Sequence, residues 1–147
     1  MAELFKSTTG AKVVIASEDH CPPHVHALHR AEGWVVRLWF SFASRDTGVL
    51  SIAPTTGAVR PKQLNQMLDE ISANLAACRK LWWHSMGTTC LENKWALLTS
   101  ANHLAILNRR QNEAKRVRSA AYDAATHILK VTFTDDTQAV IGNGDNP

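Results

Sequence analysis

The stretch Trp34-Val35-Val36-Arg37-Leu38-Trp39-Phe40-Ser41-Phe42 decides how the N-terminal half is read. β-Branched and aromatic residues dominate it, as they do in a pleated, half-buried strand. Side chains alternate across a strand, so Val36, Leu38, Phe40 and Phe42 share one face and Val35, Arg37, Trp39 and Ser41 the other. The first set is core. The second is mixed, with Trp39 either exposed or covered by a helix. Ala31-Glu32-Gly33 reads as the turn that precedes it. Working outward, residues 12–17 (KVVIAS) form a shorter strand, residues 24–28 another and residues 49–53 a fourth. The chain up to residue 60 therefore describes an antiparallel meander.

Beyond residue 60 the period changes. Pro61 suits the first position of a helix, where its missing N–H would have no partner anyway. Leu64, Met67, Leu68, Ile71, Leu75, Cys78, Leu81 and Trp82 recur at spacings of three and four, giving an apolar stripe. The spacing predicts one long helix from Pro61 to about His84, stopping before Gly87. Thr89-x-x-Glu92 resembles a capping box. Leu91, Trp95, Leu98, Leu104 and Leu107 then mark a second helical region, with a break near Ser100. Residues 108–119 are polar and basic, a helix end or a linker. Strand composition returns at residues 118–122 and 127–133, around a turn at 123–126, and again at 138–141 after the Asp135-Asp136 turn. The tail, residues 142–147, is expected to fray.

The expected fold is thus α+β: an antiparallel N-terminal sheet of three to four strands packed on a long helix, a second helical region and a C-terminal β-hairpin. An N-terminal domain is expected over residues 1–108 and a small β appendage over residues 109–147. The chain has 147 residues, 45% of them hydrophobic and 20% charged, an ordinary globular composition able to bury its own core. The formal net charge is +3. Basic residues outnumber acidic ones between 61 and 118, and the balance reverses after 119. That asymmetry permits an acidic partner, although a solvated basic face is the plainer reading.

No apolar run approaches the roughly 18 residues that a membrane helix needs, so no membrane association is expected. The opening residues Met1 to Lys6 lack the basic-then-apolar pattern of a signal peptide. Cys21, Cys78 and Cys90 are odd in number, and no spacing suggests a disulfide frame. These features place the chain in a reducing cytoplasm.

The chemistry concentrates in Asp19-His20-Cys21-Pro22-Pro23-His24-Val25-His26. Two prolines fix two φ angles and push the preceding residues away from helix. His24 and His26 open an extended run, so they point to one face with Cα atoms about 6.6 Å apart. His20 lies before the bend and can fold back toward them. A metal reading takes His20, His24 and His26 as ligands, zinc being the possible ion, with Cys21, Asp19, His29, His84 or His103 to complete the set. A catalytic reading uses two of these histidines as general base and acid on a phosphodiester, with Arg37 or Lys130 stabilising the phosphorane. The preferred reading is neither: the imidazoles hydrogen-bond to backbone and carboxylates and pin the loop, because no complete ligand or catalytic set can be named. No cofactor is expected on that reading.

Two other features bear on partners. Trp82 and Trp83 are about 100° apart on a helix and cannot both enter one core, so Trp83 is a candidate partner contact. Packing on the C-terminal hairpin is the plainer alternative. Arg109, Arg110, Lys115, Arg116 and Arg118 form a basic stretch with no interleaved aromatic residue. That favours an acidic protein surface at least as much as nucleic acid.

A strand, then the His20-Cys21-Pro22-Pro23-His24-Val25-His26 core, a second strand at 34–42 and a helix ending near tryptophans together resemble a bacterial family known as domain of unknown function 4160. Ala121-Tyr122-Asp123 followed by residues 129–136 (LKVTFTDD) resembles the start of a second family, domain of unknown function 2442. Asp136 stands where that family usually has glycine. Genes of these families resemble neighbours in compact toxin–antitoxin operons. The resemblance implies a bacterial or phage-type cytosolic module. It leads to the expectation of a non-enzymatic protein-interaction module, antitoxin-like or an inhibitor of a defence or toxin system, with a bacterial protein partner. The rivals are a small nuclease or metal-dependent hydrolase built on the His cluster, and a nucleic-acid-binding regulator.

Overall fold

The structure, a computed structural model, describes residues 2–54, 59–100 and 103–142. Among the described residues the chain is mostly β, with strand over 44% and helix over 19%. The first sheet runs in simple sequence order: β1 (Ala2–Lys6), β2 (Lys12–Ile15), β3 (His24–His29), β4 (Trp34–Phe40) and β5 (Thr47–Ala53), all antiparallel. The meander read from the sequence is present, extended by β1. Val25, Ala27, Val36, Leu38 and Phe40 form its fully buried face. Trp39 is half-buried, on the wall of a cleft it shares with Ser44 and Leu104. It stands opposite Gly48 of β5, where a Cβ would lie 2.4 Å from the indole Nε1. Only glycine allows that ring to lie so close to the neighbouring strand.

The expected single long helix is two shorter ones, α1 (Pro61–Ala73) and α2 (Leu75–Met86). The interruption is Asn74, with φ −116° and ψ 26°. Its side-chain amide donates to the Glu70 carbonyl at 2.8 Å, offering the backbone a local alternative to continued helix. Pro61 does open α1, and Gly87, at φ 66°, does close α2 in the left-handed conformation. The stripe faces inward: Met67, Ile71, Leu75, Cys78 and Trp82 are buried, and Leu64 and Leu68 pack at the margin. Polar contacts seat the helices. Gln63 donates to Glu32, which also accepts from the Trp34 indole. Arg79, only 2% exposed, donates to the carbonyls of Ser41 and Ser44.

The larger correction concerns the last third. The predicted second helical region is a pair of strands, β6 (Trp95–Ser100) and β7 (His103–Leu107). With β8 (Lys115–Asp123), β9 (Ile128–Phe133) and β10 (Gln138–Ile141) they form a second five-stranded antiparallel sheet, in the order β10-β9-β8-β6-β7. A chain reading of α+β with a long helix is therefore replaced by two sheets and two short helices. Helical spacing misleads here because residues 95–98 and 104–107 are apolar without interruption, and such runs satisfy either period. Thr89 and Glu92 form no capping box. Cys90 and Asn93 have positive φ, and Lys94 N–H closes a turn onto Leu91. The backbone of Asn93 and Lys94 is engaged by Val117, which leads the chain into the sheet.

The three C-terminal strands read from the sequence are present, but as part of this five-stranded sheet and not as a separate hairpin, and β8 begins inside the stretch read as linker. Trp95 pairs with Arg116 and Ala96 with Lys115 where β6 meets β8. Phe42 and Tyr122 meet edge to face at 5.0 Å, so one apolar core runs through both sheets. The expected fraying of the tail concerns residues that, beyond Gly142, lie outside the described ones.

Candidate metal centre

Residues 16–23 connect β2 to β3, and the His/Pro motif occupies this loop and the first turn of pleat after it. Pairing with β4 sets His24 opposite Trp39 and His26 opposite Arg37. The two histidines share a face as the alternation requires, their ring centroids 5.0 Å apart. Pro23 is held against the end of β4 by the Phe40 N–H, which donates to its carbonyl at 3.0 Å. Behind the loop, the Trp82 indole of α2 packs on the His24 ring at 5.6 Å.

The third member of the cluster is Asp19, not His20. Asp19 Oδ2 accepts the Ala16 N–H at 3.0 Å, which aims Oδ1 at the histidines. His26 Nε2 lies 2.8 Å from Oδ1 and His24 Nε2 lies 3.4 Å from the same atom. The three ligand atoms all fall within 4.8 Å of one another. The side chains of His24, Asp19 and His26 are 5%, 9% and 15% exposed, so little water reaches them.

One contact fixes the chemistry of His24. Its Nδ1 lies 2.8 Å from the Pro22 carbonyl, an acceptor only, so Nδ1 carries a proton. In the neutral ring Nε2 is then a lone pair, and it faces a carboxylate oxygen. Two acceptors face to face repel unless a proton or a metal ion stands between them. A backbone carbonyl on the distal nitrogen is also the usual way a ligating histidine is oriented. Tetrahedral ligands about 2.0–2.2 Å from a zinc ion are roughly 3.3–3.5 Å apart. The Asp19–His24 separation has that value, whereas Asp19 and His26, at 2.8 Å, stand at hydrogen-bond distance and would have to part by about half an ångström to share an ion.

The cluster borders a cleft of about 280 Å³ lined by Glu18, Asp19, His20, His24, Arg37 and Leu50. The side chains of Arg37, His20 and Glu18 make no hydrogen bond or ion pair with the other described residues. His20 lines the cleft, exposed, outside the convergent trio. Cys21, also on the cleft wall, is bridged to Cys90. The expectation of no disulfide is overturned, because a pairing across 69 residues leaves no local spacing signal.

The other candidates lie apart. His29 is buried and structural: its Nε2 donates to the Thr9 carbonyl and its Nδ1 accepts the Glu32 N–H. His84 is exposed near the end of α2, and His103, on β7, bonds Thr99. Lys130 lies on β9 of the second sheet and does not line the cleft. Much of the basic stretch is engaged within the chain. Lys115 pairs with Asp135 at 3.1 Å, Arg118 with Asp136, and Arg110 stacks over Trp95. Arg109 and Arg116 are exposed, and Trp83 is half-buried against the core. Asp19 entered the sequence reading only as one of several completing ligands. Its signal was an acidic residue immediately before the motif, in a loop short enough to return it to the strand. Comparison with known protein families, curated proteins and solved structures finds no match to this chain.

Proposed function

We propose that the protein is a small metal-dependent hydrolase acting on a phosphate ester. The observation that carries this reading is the convergence of Asp19 Oδ1, His24 Nε2 and His26 Nε2 at the edge of a cleft that also holds an unpartnered Arg37. Two imidazoles and a carboxylate suit zinc and related ions, and three protein ligands leave a position open to substrate or water. A metal there would supply a nucleophilic hydroxide near neutral pH. The Arg37 guanidinium would receive the anionic ester. A metal-free histidine pair is less well supported, because His24 has both nitrogens engaged and His26 turns Nε2 to Asp19.

The test is metal analysis of the purified chain together with hydrolysis of bis(4-nitrophenyl) phosphate. About one ion per chain is expected, with turnover lost on chelation and restored by zinc. Bound metal without turnover on this and related esters would reduce the site to a structural one. Turnover that survives chelation would remove metal from the reaction.

A second reading keeps the interaction module with a bacterial protein partner, as the resemblance to the two uncharacterised families suggests. Its supporting observation is the edge strand β5, whose Val49 and Leu50 are exposed beside the cleft. Unpaired strand edges accept a partner's strand. Nucleic acid is a weaker candidate, given the internal pairing of Lys115 and Arg118. A cytoplasmic location belongs to this second reading. The Cys21–Cys90 bridge weighs against it, since thiols stay reduced there. Among the described residues no helix is long and apolar enough to cross a membrane.

A further inference from the structure

Cys21 stands between His20 and Pro22, inside the very loop that carries the cluster. Asp19 lies on one side of it. On the other is Pro22, whose carbonyl sets the His24 ring at 2.8 Å. Its partner Cys90 follows α2, the helix that presses Trp82 onto the other side of His24 at 5.6 Å. Trp82 is itself tied to this segment, its indole N–H donating to the Thr88 carbonyl at 3.1 Å. The bridge therefore joins the two walls that define where His24 sits. Apart from the contacts of the two histidines with Pro22 and Asp19, the loop is held among the described residues by the Phe40–Pro23 bond at the strand end and the Ala16–Asp19 bond at the start.

We propose that the Cys21–Cys90 disulfide controls the metal affinity of the Asp19/His24/His26 centre, closed for binding and open for release. The proposal rests on reading the cluster as a metal centre. Reduction by a dithiol or a phosphine adds two electrons and two protons, breaks the S–S bond and leaves thiols on Cys21 and Cys90. A dithiol reductant is itself oxidised to a cyclic disulfide; a phosphine becomes its oxide, with the oxygen and the two protons taken from water. Freed from Cys90, the Cys21–Pro22 segment loses its anchor on the α2 side, and the Pro22 carbonyl no longer holds the His24 tautomer and ring angle. Loss of such an orienting contact weakens metal binding by about 10–100-fold. The bridged form binds tightly because its ligand loop is ordered before the ion arrives.

The experiment is zinc titration of the full chain against a competing chromogenic chelator. It compares the oxidised protein, the same protein under a phosphine reductant, the variant C21S/C90S and the single variant C90S. Circular dichroism confirms that each remains folded. Tight binding of about one ion by the oxidised chain is expected, with affinity about 10–100-fold lower in the reduced protein and in C21S/C90S. Reductant should have no further effect on the double variant, because no disulfide remains in it and its one cysteine, Cys78, is buried. Equal affinity in the oxidised and reduced proteins would overturn the proposal. So would tighter binding in the reduced protein and C90S, which would make the Cys21 thiolate a ligand rather than a tether. No zinc in the oxidised chain would instead remove the metal reading itself.

Discussion

Two residues show how local contacts set chemistry here. His24 is committed by its bond to Pro22, and replacing it removes the ligand whose orientation is best defined. His24→Ala should abolish stoichiometric zinc, while His84→Ala, at an exposed site on α2, should leave zinc content unchanged; metal analysis of both variants decides. Asp135 is the clearest electrostatic case. The Thr137 hydroxyl and backbone N–H bond its carboxylate, and Lys115 lies alongside, holding its pKa down from the usual 3.8 to about 2. A depressed carboxylate contributes stability above its unfolded pKa and loses it as pH falls through the folded one. Asp135→Asn should therefore destabilise at pH 5, and its difference from the native protein should shrink between pH 4 and pH 2 in urea melts. A gap that persists undiminished at pH 2 would place the effect elsewhere.

At the scale of elements, α1 offers a graded test. Ile71 is fully buried and Leu68 only partly so. Ile71→Ala should cost about 2–5 kcal/mol and Leu68→Ala clearly less, read from denaturant midpoints. The same contrast explains what the sequence could yield. Strands β2 to β5 were legible because one face alternates cleanly and turn residues bound each run. The helical stripe was legible too, but not its break, which depends on one asparagine side chain capturing a carbonyl. Residues 95–107 were misread because the runs 95–98 and 104–107 are each apolar throughout and so have no period; what decides it is the pairing of Trp95 and Ala96 with β8, a contact between distant parts of the chain. The cluster was half legible. Strand alternation joined His24 to His26, whereas Asp19 and Cys90 arrive through loop geometry and long-range packing that no local pattern encodes.

On the scale of the whole molecule, the two sheets share a core but are bound differently into the chain. A bridge across 69 residues contributes up to about 4 kcal/mol through the unfolded state. Reduction should lower the unfolding free energy by roughly 2–4 kcal/mol, measured in urea with and without reductant. The bridge also has a topological meaning. Between Cys21 and Cys90 the backbone becomes a covalent ring that contains β3, β4, β5 and both helices, with β1 and β2 leaving as one tail and the entire second sheet as the other. A protease that cuts once inside the ring, for instance after the exposed Arg45, opens it without dividing the molecule. Such a nicked protein still runs as a single species on a gel until a reductant parts it into two fragments.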